Sequence, residues 1–127
     1  MKNFFVGRKT PKLGQHLLTS PAIARAVCDA VSLSAQDTVL EIGPGKGMLT
    51  RELLAAGAQV VAVEKDPEMI VALQETFAKE IASTQLVITE EDIRTFLSTG
   101  NYPLATNYKV IATIPYYITG EIIRLLL

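Results

Sequence analysis

The chain has 127 residues, 49% hydrophobic and 20% charged, which suits one α/β domain with a real core. A formal net charge of −1 argues against a protein that is basic overall; one cysteine excludes an internal disulfide, and with one histidine it argues against a zinc site or any other metal centre. No apolar run approaches the roughly 20 residues of a membrane span, the N-terminus lacks a signal-peptide layout, and a single thiol fits a reducing, cytoplasmic setting.

Residues 1–12 carry Lys2, Arg8, Lys9 and Lys12 without an acid, so 8 bases face 13 acids in the remainder. Gly7 and Pro11 argue for an irregular, basic segment, and residues 1–19 are expected to form an arm outside the domain body of residues 20–127. Ser20-Pro21 reads as an N-cap followed by the first helical residue. Ile23, Ala26, Val27, Ala30 and Val31 then recur at helical spacing, with Cys28 as a small core residue. Val39, Leu40 and Ile42 form a short buried strand, and a helix begins near Met48 with Leu49, Leu53 and Leu54 on its apolar side. Gly57 is placed to end that helix at C′.

Gln59–Glu64 reads as a second buried strand, and Asp66-Pro67 as the start of a helix with Ile70, Leu73 and Phe77 on its core face. Leu86–Thr89 is a third strand, followed by Glu90, Glu91 and Asp92. A helical turn spans Ile93–Leu97, and a loop holds Gly100, Asn101 and Pro103. Tyr108–Ile114 is a fourth strand. Pro115-Tyr116-Tyr117 and a helix near Thr119 follow. The alternation of strands and helices predicts a mostly parallel sheet flanked by helices.

Between the first strand and its helix lies Glu41-x-Gly43-x-Gly45-x-Gly47. A glycine turn there sits at the carboxyl end of a strand, where open α/β sheets bind ligands. A dinucleotide fingerprint would need a third glycine where Met48 stands, and no glycine is followed by Lys-Ser or Lys-Thr as in a phosphate loop. The turn is therefore either a tight connection or a cofactor site of another kind. Glu64, 21 residues after Gly43, ends the second strand and is placed to accept ribose hydroxyls; a solvated strand-end carboxylate is the alternative. Asp92 is placed either to accept an adenine amine or to cap a helix.

KLGQHLL, LEIGPGKGMLT, VVAVEKD, the Asp after the third strand and IPYYIT occur in an order that resembles the small-subunit ribosomal RNA adenine dimethyltransferases, from Lys12 onward. The resemblance implies a Rossmann-like methyltransferase fold that binds S-adenosylmethionine and methylates the exocyclic amines of two adjacent adenines. By position, it implies that His16, Leu18, Gly43, Gly45, Gly47, Glu64, Asp92 and Thr113 contact the cofactor. It further implies that Tyr116 stacks on a target base taken out of its helix, while the carbonyl of Ile114 or Pro115 accepts a hydrogen from the target amine. Arg8, Lys9 and Lys12 are expected to meet rRNA phosphates.

The sequence departs from the family pattern at two points. Thr113 stands where Asn is usual, which predicts weak methyl transfer, and Glu91 replaces a Gly. The resemblance also implies a sheet order of 3-2-1-4 in the strands just named, truncated after the fourth. Val110–Ile114 would then be an open apolar edge through which the chain self-associates. The alternatives within reach are the macrolide-resistance type, which acts on large-subunit rRNA, and a non-catalytic cofactor- or RNA-binding fragment; a nicotinamide oxidoreductase is more distant.

Overall fold

The computed structural model describes residues 4–8, 21–99 and 108–114. Ten elements follow in order: β1 (Phe4–Arg8), α1 (Pro21–Ala30), β2 (Thr38–Ile42), α2 (Met48–Ala55), β3 (Gln59–Glu64), α3 (Pro67–Thr76), α4 (Ala78–Ala82), β4 (Leu86–Glu90), α5 (Ile93–Thr99) and β5 (Lys109–Ile114). The five strands form one parallel sheet in the order β1-β5-β2-β3-β4.

Alternation along the strands sorts the core into two layers. Val39, Val60, Ala62, Leu86 and Ile111 pack with Ala24, Val27, Cys28 and Val31 of the α1 region, Leu49, Leu53 and Leu54 of α2, and Leu73 and Phe77. Leu40, Ile42, Val61, Val63, Val110 and Ala112 face the other way, onto Ile93, Phe96 and Leu97 of α5. Strands buried on both faces explain the unbroken apolar run of residues 60–63 in β3 and the apolar residues Val39, Leu40 and Ile42 of β2, which only Glu41 interrupts.

Local chemistry sets the helix ends. Gly57, at φ +87°, donates to the Leu54 carbonyl at 2.9 Å, and Ala58 donates to that of Leu53 at 3.3 Å, the two bonds of a Schellman stop. Asp66 caps α3 by accepting from the Glu68 N–H at 2.9 Å, with Pro67 at the first position. The helical run through Phe77 is broken there into α3 and α4. Phe77 is buried, as its spacing predicts, and so are Ile70 and Leu73.

Three expectations change. The buried side of α1 runs through Ala24, Val27, Cys28 and Val31, while Ala26 and Ala30 are exposed. Val27, Cys28 and Val31 are buried as expected, and only the two alanines differ, because alanine fits either side of a helix. Residues 4–8 form a strand and not part of an irregular arm. Phe4, Phe5 and Val6 have high strand propensity, and β5 offers a row of backbone donors and acceptors for them to pair with. For the same reason β5 is not an open edge. It is hydrogen-bonded to β2 on one side and β1 on the other, and self-association through it loses its basis. The neighbour order among β2, β3, β4 and β5 is as expected.

Candidate functional site

The carboxyl ends of β2, β3 and β4 lie side by side, followed by residues 43–47, by Lys65 and Asp66, and by Glu91 and Asp92 respectively. After β2 the backbone enters the left-handed region at Gly43 (φ +71°), Gly45 (φ +58°) and Gly47 (φ +87°). A Cβ on Gly47 would lie 2.6 Å from Phe77 Cε2 and 3.0 Å from Leu73 Cδ2. That glycine is therefore required twice, by its dihedral angle and by its close approach to the core.

Glu64 ties these turns together. Its side chain is enclosed, with the residue 9% exposed. Oε1 accepts the Gly45 N–H at 3.1 Å, and Oε2 accepts the N–H groups of Lys65 at 2.9 Å and Asp66 at 3.0 Å. Its main-chain carbonyl accepts the Glu91 N–H at 3.0 Å. One residue thus joins the turns after β2, β3 and β4. A carboxylate has about four acceptor positions, so three backbone donors leave about one open.

Asp92 follows β4 and is held by Arg94. Oδ1 accepts from the Arg94 backbone N–H at 2.8 Å and from Nε at 3.0 Å, and Oδ2 accepts from Nη2 at 3.0 Å. The Arg94 bonds hold the Asp92 carboxyl down at about 2 against the opposing effect of burial. The capping role and a binding role are compatible, since the three bonds from Arg94 leave about one acceptor position open on the carboxylate.

Two residues of this site carry no assignment from the sequence. Glu41 is 2% exposed, and its Oε1 accepts the Thr50 hydroxyl, itself fully buried, at 2.6 Å. The bond spans the glycine turn, from the strand before it to the helix after it. Burial pushes the Glu41 carboxyl up to about 7, with the Thr50 bond working against that shift and the charge of Glu64 adding to it. The signal was present in the sequence: a Glu between Leu40 and Ile42 in a strand buried on both faces has to be enclosed.

The main chain at Thr113 and Ile114 lies at the carboxyl end of β5, in register with Gly7 and Arg8 of β1. Lys9, Lys12, His16, Leu18, Pro115 and Tyr116 lie outside the described residues, as do the Ser20 cap, the loop at Gly100–Pro103 and the helix near Thr119. Among the described residues no group of three or more His, Cys, Asp and Glu side chains is placed to hold a metal. No helix among them is long and apolar enough to cross a membrane.

Comparison with known proteins gives this arrangement its context. Over 120 residues the chain is 44% identical to the ribosomal RNA small subunit methyltransferase A of Thermosynechococcus vestitus, a match covering 94% of this chain and 42% of that protein. The chain thus spans about two fifths of the length of the curated relatives it matches. Among solved structures, the 23S rRNA methyltransferase ErmE superposes with a TM-score of 0.65 at 31% identity, covering 84% of this chain and 40% of that one. A dimethyladenosine transferase from Plasmodium falciparum gives 0.65 at 30% identity, covering 87% and 38%. The family model described as ribosomal RNA adenine dimethylase matches residues 6–127, and the chain belongs to that family.

Proposed function

We propose that this chain forms the cofactor-binding part of an S-adenosylmethionine-dependent rRNA adenine N6-dimethyltransferase that acts on small-subunit rRNA in the cytoplasm during ribosome biogenesis. The observation that carries this reading is the three-glycine turn gripped by Glu64 at the carboxyl ends of β2 and β3. In this reading Gly43, Gly45 and Gly47 run under the methionine part, Glu64 takes the ribose and Asp92 the adenine amine. His16, Leu18 and Thr113 complete the pocket. The open position on Glu64 accepts one hydroxyl directly. Taking a second requires Gly45, the longest of its three backbone bonds, to give way.

An adenine amine is a poor nucleophile because its lone pair is shared with the ring. The residues proposed at the target act by placement. In this reading Tyr116 would stack on the base, and the Ile114 or Pro115 carbonyl and the Thr113 hydroxyl would accept from the amine, whose nitrogen would then face the sulfonium methyl. Placement of this kind contributes roughly 7–11 kcal/mol in favourable cases. Thr113 is shorter and stiffer than the usual Asn and can donate as well as accept, which makes it the weakest part of that arrangement.

Titration calorimetry tests the reading. S-adenosylmethionine and its demethylated product should bind, and NAD should not; binding of NAD alone would reject it. The equal TM-scores of the two superposed enzymes keep large-subunit rRNA as a second substrate reading, while the names of the curated relatives favour the small subunit. Methyl transfer to small- and large-subunit particles by a chain of the relatives' full length separates the two.

The RNA reading makes its own prediction. Arg8 ends β1 beside Ile114, which puts Arg8 at the end of the sheet proposed to receive the target. Replacing Arg8, Lys9 and Lys12 together with Gln should weaken RNA binding and lower the salt slope by about 2–3, because fewer counterions are released. An unchanged slope in filter-binding measurements would leave these three residues merely solvated.

A further inference from the structure

Among the described residues, Glu41 is the one buried carboxyl that the proposed function does not use. Its Oε1 is bound by a neutral hydroxyl, and among the described residues no cation is paired with it. The groups around it sharpen the case. From β3 comes the Glu64 carboxylate, which repels a second negative charge. From α1 comes Cys28, whose thiol burial pushes up to about 11, so that it stays neutral. From α2 comes Thr50, while Glu52 is turned to Arg25 at 3.8 Å. From β5 the residue in register is Ile111, which carries no charge.

We propose that Glu41 holds a proton in the free protein and releases it to solvent when the methyl donor binds, so that cofactor binding and proton release are linked. This rests on the cofactor reading above. Two features of the donor drive the release. Its sulfonium gives it a net charge of +1, the ammonium and carboxylate of the amino acid part offsetting each other, in a site where no buried group among the described residues is positive. Its ribose hydroxyls donate to Glu64, drawing off the negative charge that helps keep Glu41 neutral. The O–H bond of Glu41 breaks, its electron pair stays on the carboxylate, and the proton passes to buffer; no other bond changes. Thr50 is the positioning partner, since its hydroxyl donates to either form of Glu41 and favours the ionised one.

The sign follows from linkage. The free protein carries the Glu41 carboxyl at about 7. A ligand that lowers this value binds more tightly as pH rises, until Glu41 is already ionised in the free protein. Affinity for S-adenosylmethionine should therefore increase several-fold from about pH 6 to about pH 8 and then level off. The demethylated product, which lacks the sulfonium charge, should show a smaller rise.

Calorimetry of S-adenosylmethionine binding near pH 6.5, in phosphate and in Tris, reads the proton directly, because the two buffers differ in ionisation heat. The expected result is net proton release by the wild type, none by Glu41→Gln, and a flat affinity profile for that variant. Thr50→Val should move the pH transition upward and Thr50→Ser should return it, an ordering that a purely structural role would not produce and that holds even if Glu41→Gln does not fold. Tight binding without proton release by the wild type, or release unchanged in Glu41→Gln, overturns the inference alone. Failure of the wild type to bind the donor overturns the cofactor reading, and the inference with it.

Discussion

Gly47→Ala is expected to destabilise the fold by about 2–4 kcal/mol, from the left-handed backbone and the overpacking together. The added Cβ would sit 2.6 Å from the Phe77 ring and 3.0 Å from Leu73. Neither neighbour gives way easily. Leu73 and Phe77 are almost fully buried, and the Arg51 guanidinium lies 5.7 Å from the Phe77 ring centroid, over its face. The ring is thus bounded by the glycine turn and by a cation. Urea unfolding should show a lower midpoint with an unchanged slope. A loss below about 1 kcal/mol would mean that Phe77 moves aside at little cost. Gly57→Ala breaks the same dihedral rule, and its Cβ would lie 2.9 Å from Ala35 Cβ and 3.3 Å from Ala35 Cα, so relief there needs a backbone shift in an exposed turn.

Glu64→Ala carries the second large effect, and it has two separable parts. Removing the carboxylate leaves the N–H groups of Gly45, Lys65 and Asp66 without their acceptor, which should cost about 2–3 kcal/mol of stability. Donor binding should weaken by a further ~1–3 kcal/mol as the ribose loses its partner. Glu64→Gln distinguishes the parts. A glutamine offers one oxygen, so it can keep either Gly45 or the Lys65–Asp66 pair, but not both. Stability should recover partly, while calorimetry should still show weakened binding of S-adenosylmethionine. Wild-type affinity in Glu64→Ala would remove Glu64 from the site and leave it a structural tie between turns.

Much of this architecture was legible in the sequence because it is set by local chemistry. Asp66-Pro67 and Gly57 mark helix ends through their own side chains or dihedrals, and β2 and β3 announce themselves by short, β-branched apolar stretches. The strand at Phe4–Arg8 was not legible. Five residues that include Gly7 carry little signal, and what makes them a strand is β5, far along the chain. The site divides in the same way. The glycine spacing and Glu64 stand out as a motif, but the backbone donors that occupy Glu64 come from two turns, and only the fold brings them together. Glu41 was visible as part of the spacing, yet its link to Thr50 depends on the helix folding back over its own strand.

The pairing of β1 with β5 orders events in time. Phe4 lies beside Val110 and Arg8 beside Ile114, so among the described strands the first to be synthesised pairs with the last. Until β5 emerges, Phe4, Phe5 and Val6 have no ladder to join. Closing so long a loop costs chain entropy that only an already formed sheet repays. β1 is therefore expected to dock after the central strands have assembled. In the interval an apolar strand stands unpaired, the kind of segment that holdase chaperones recognise on a nascent chain.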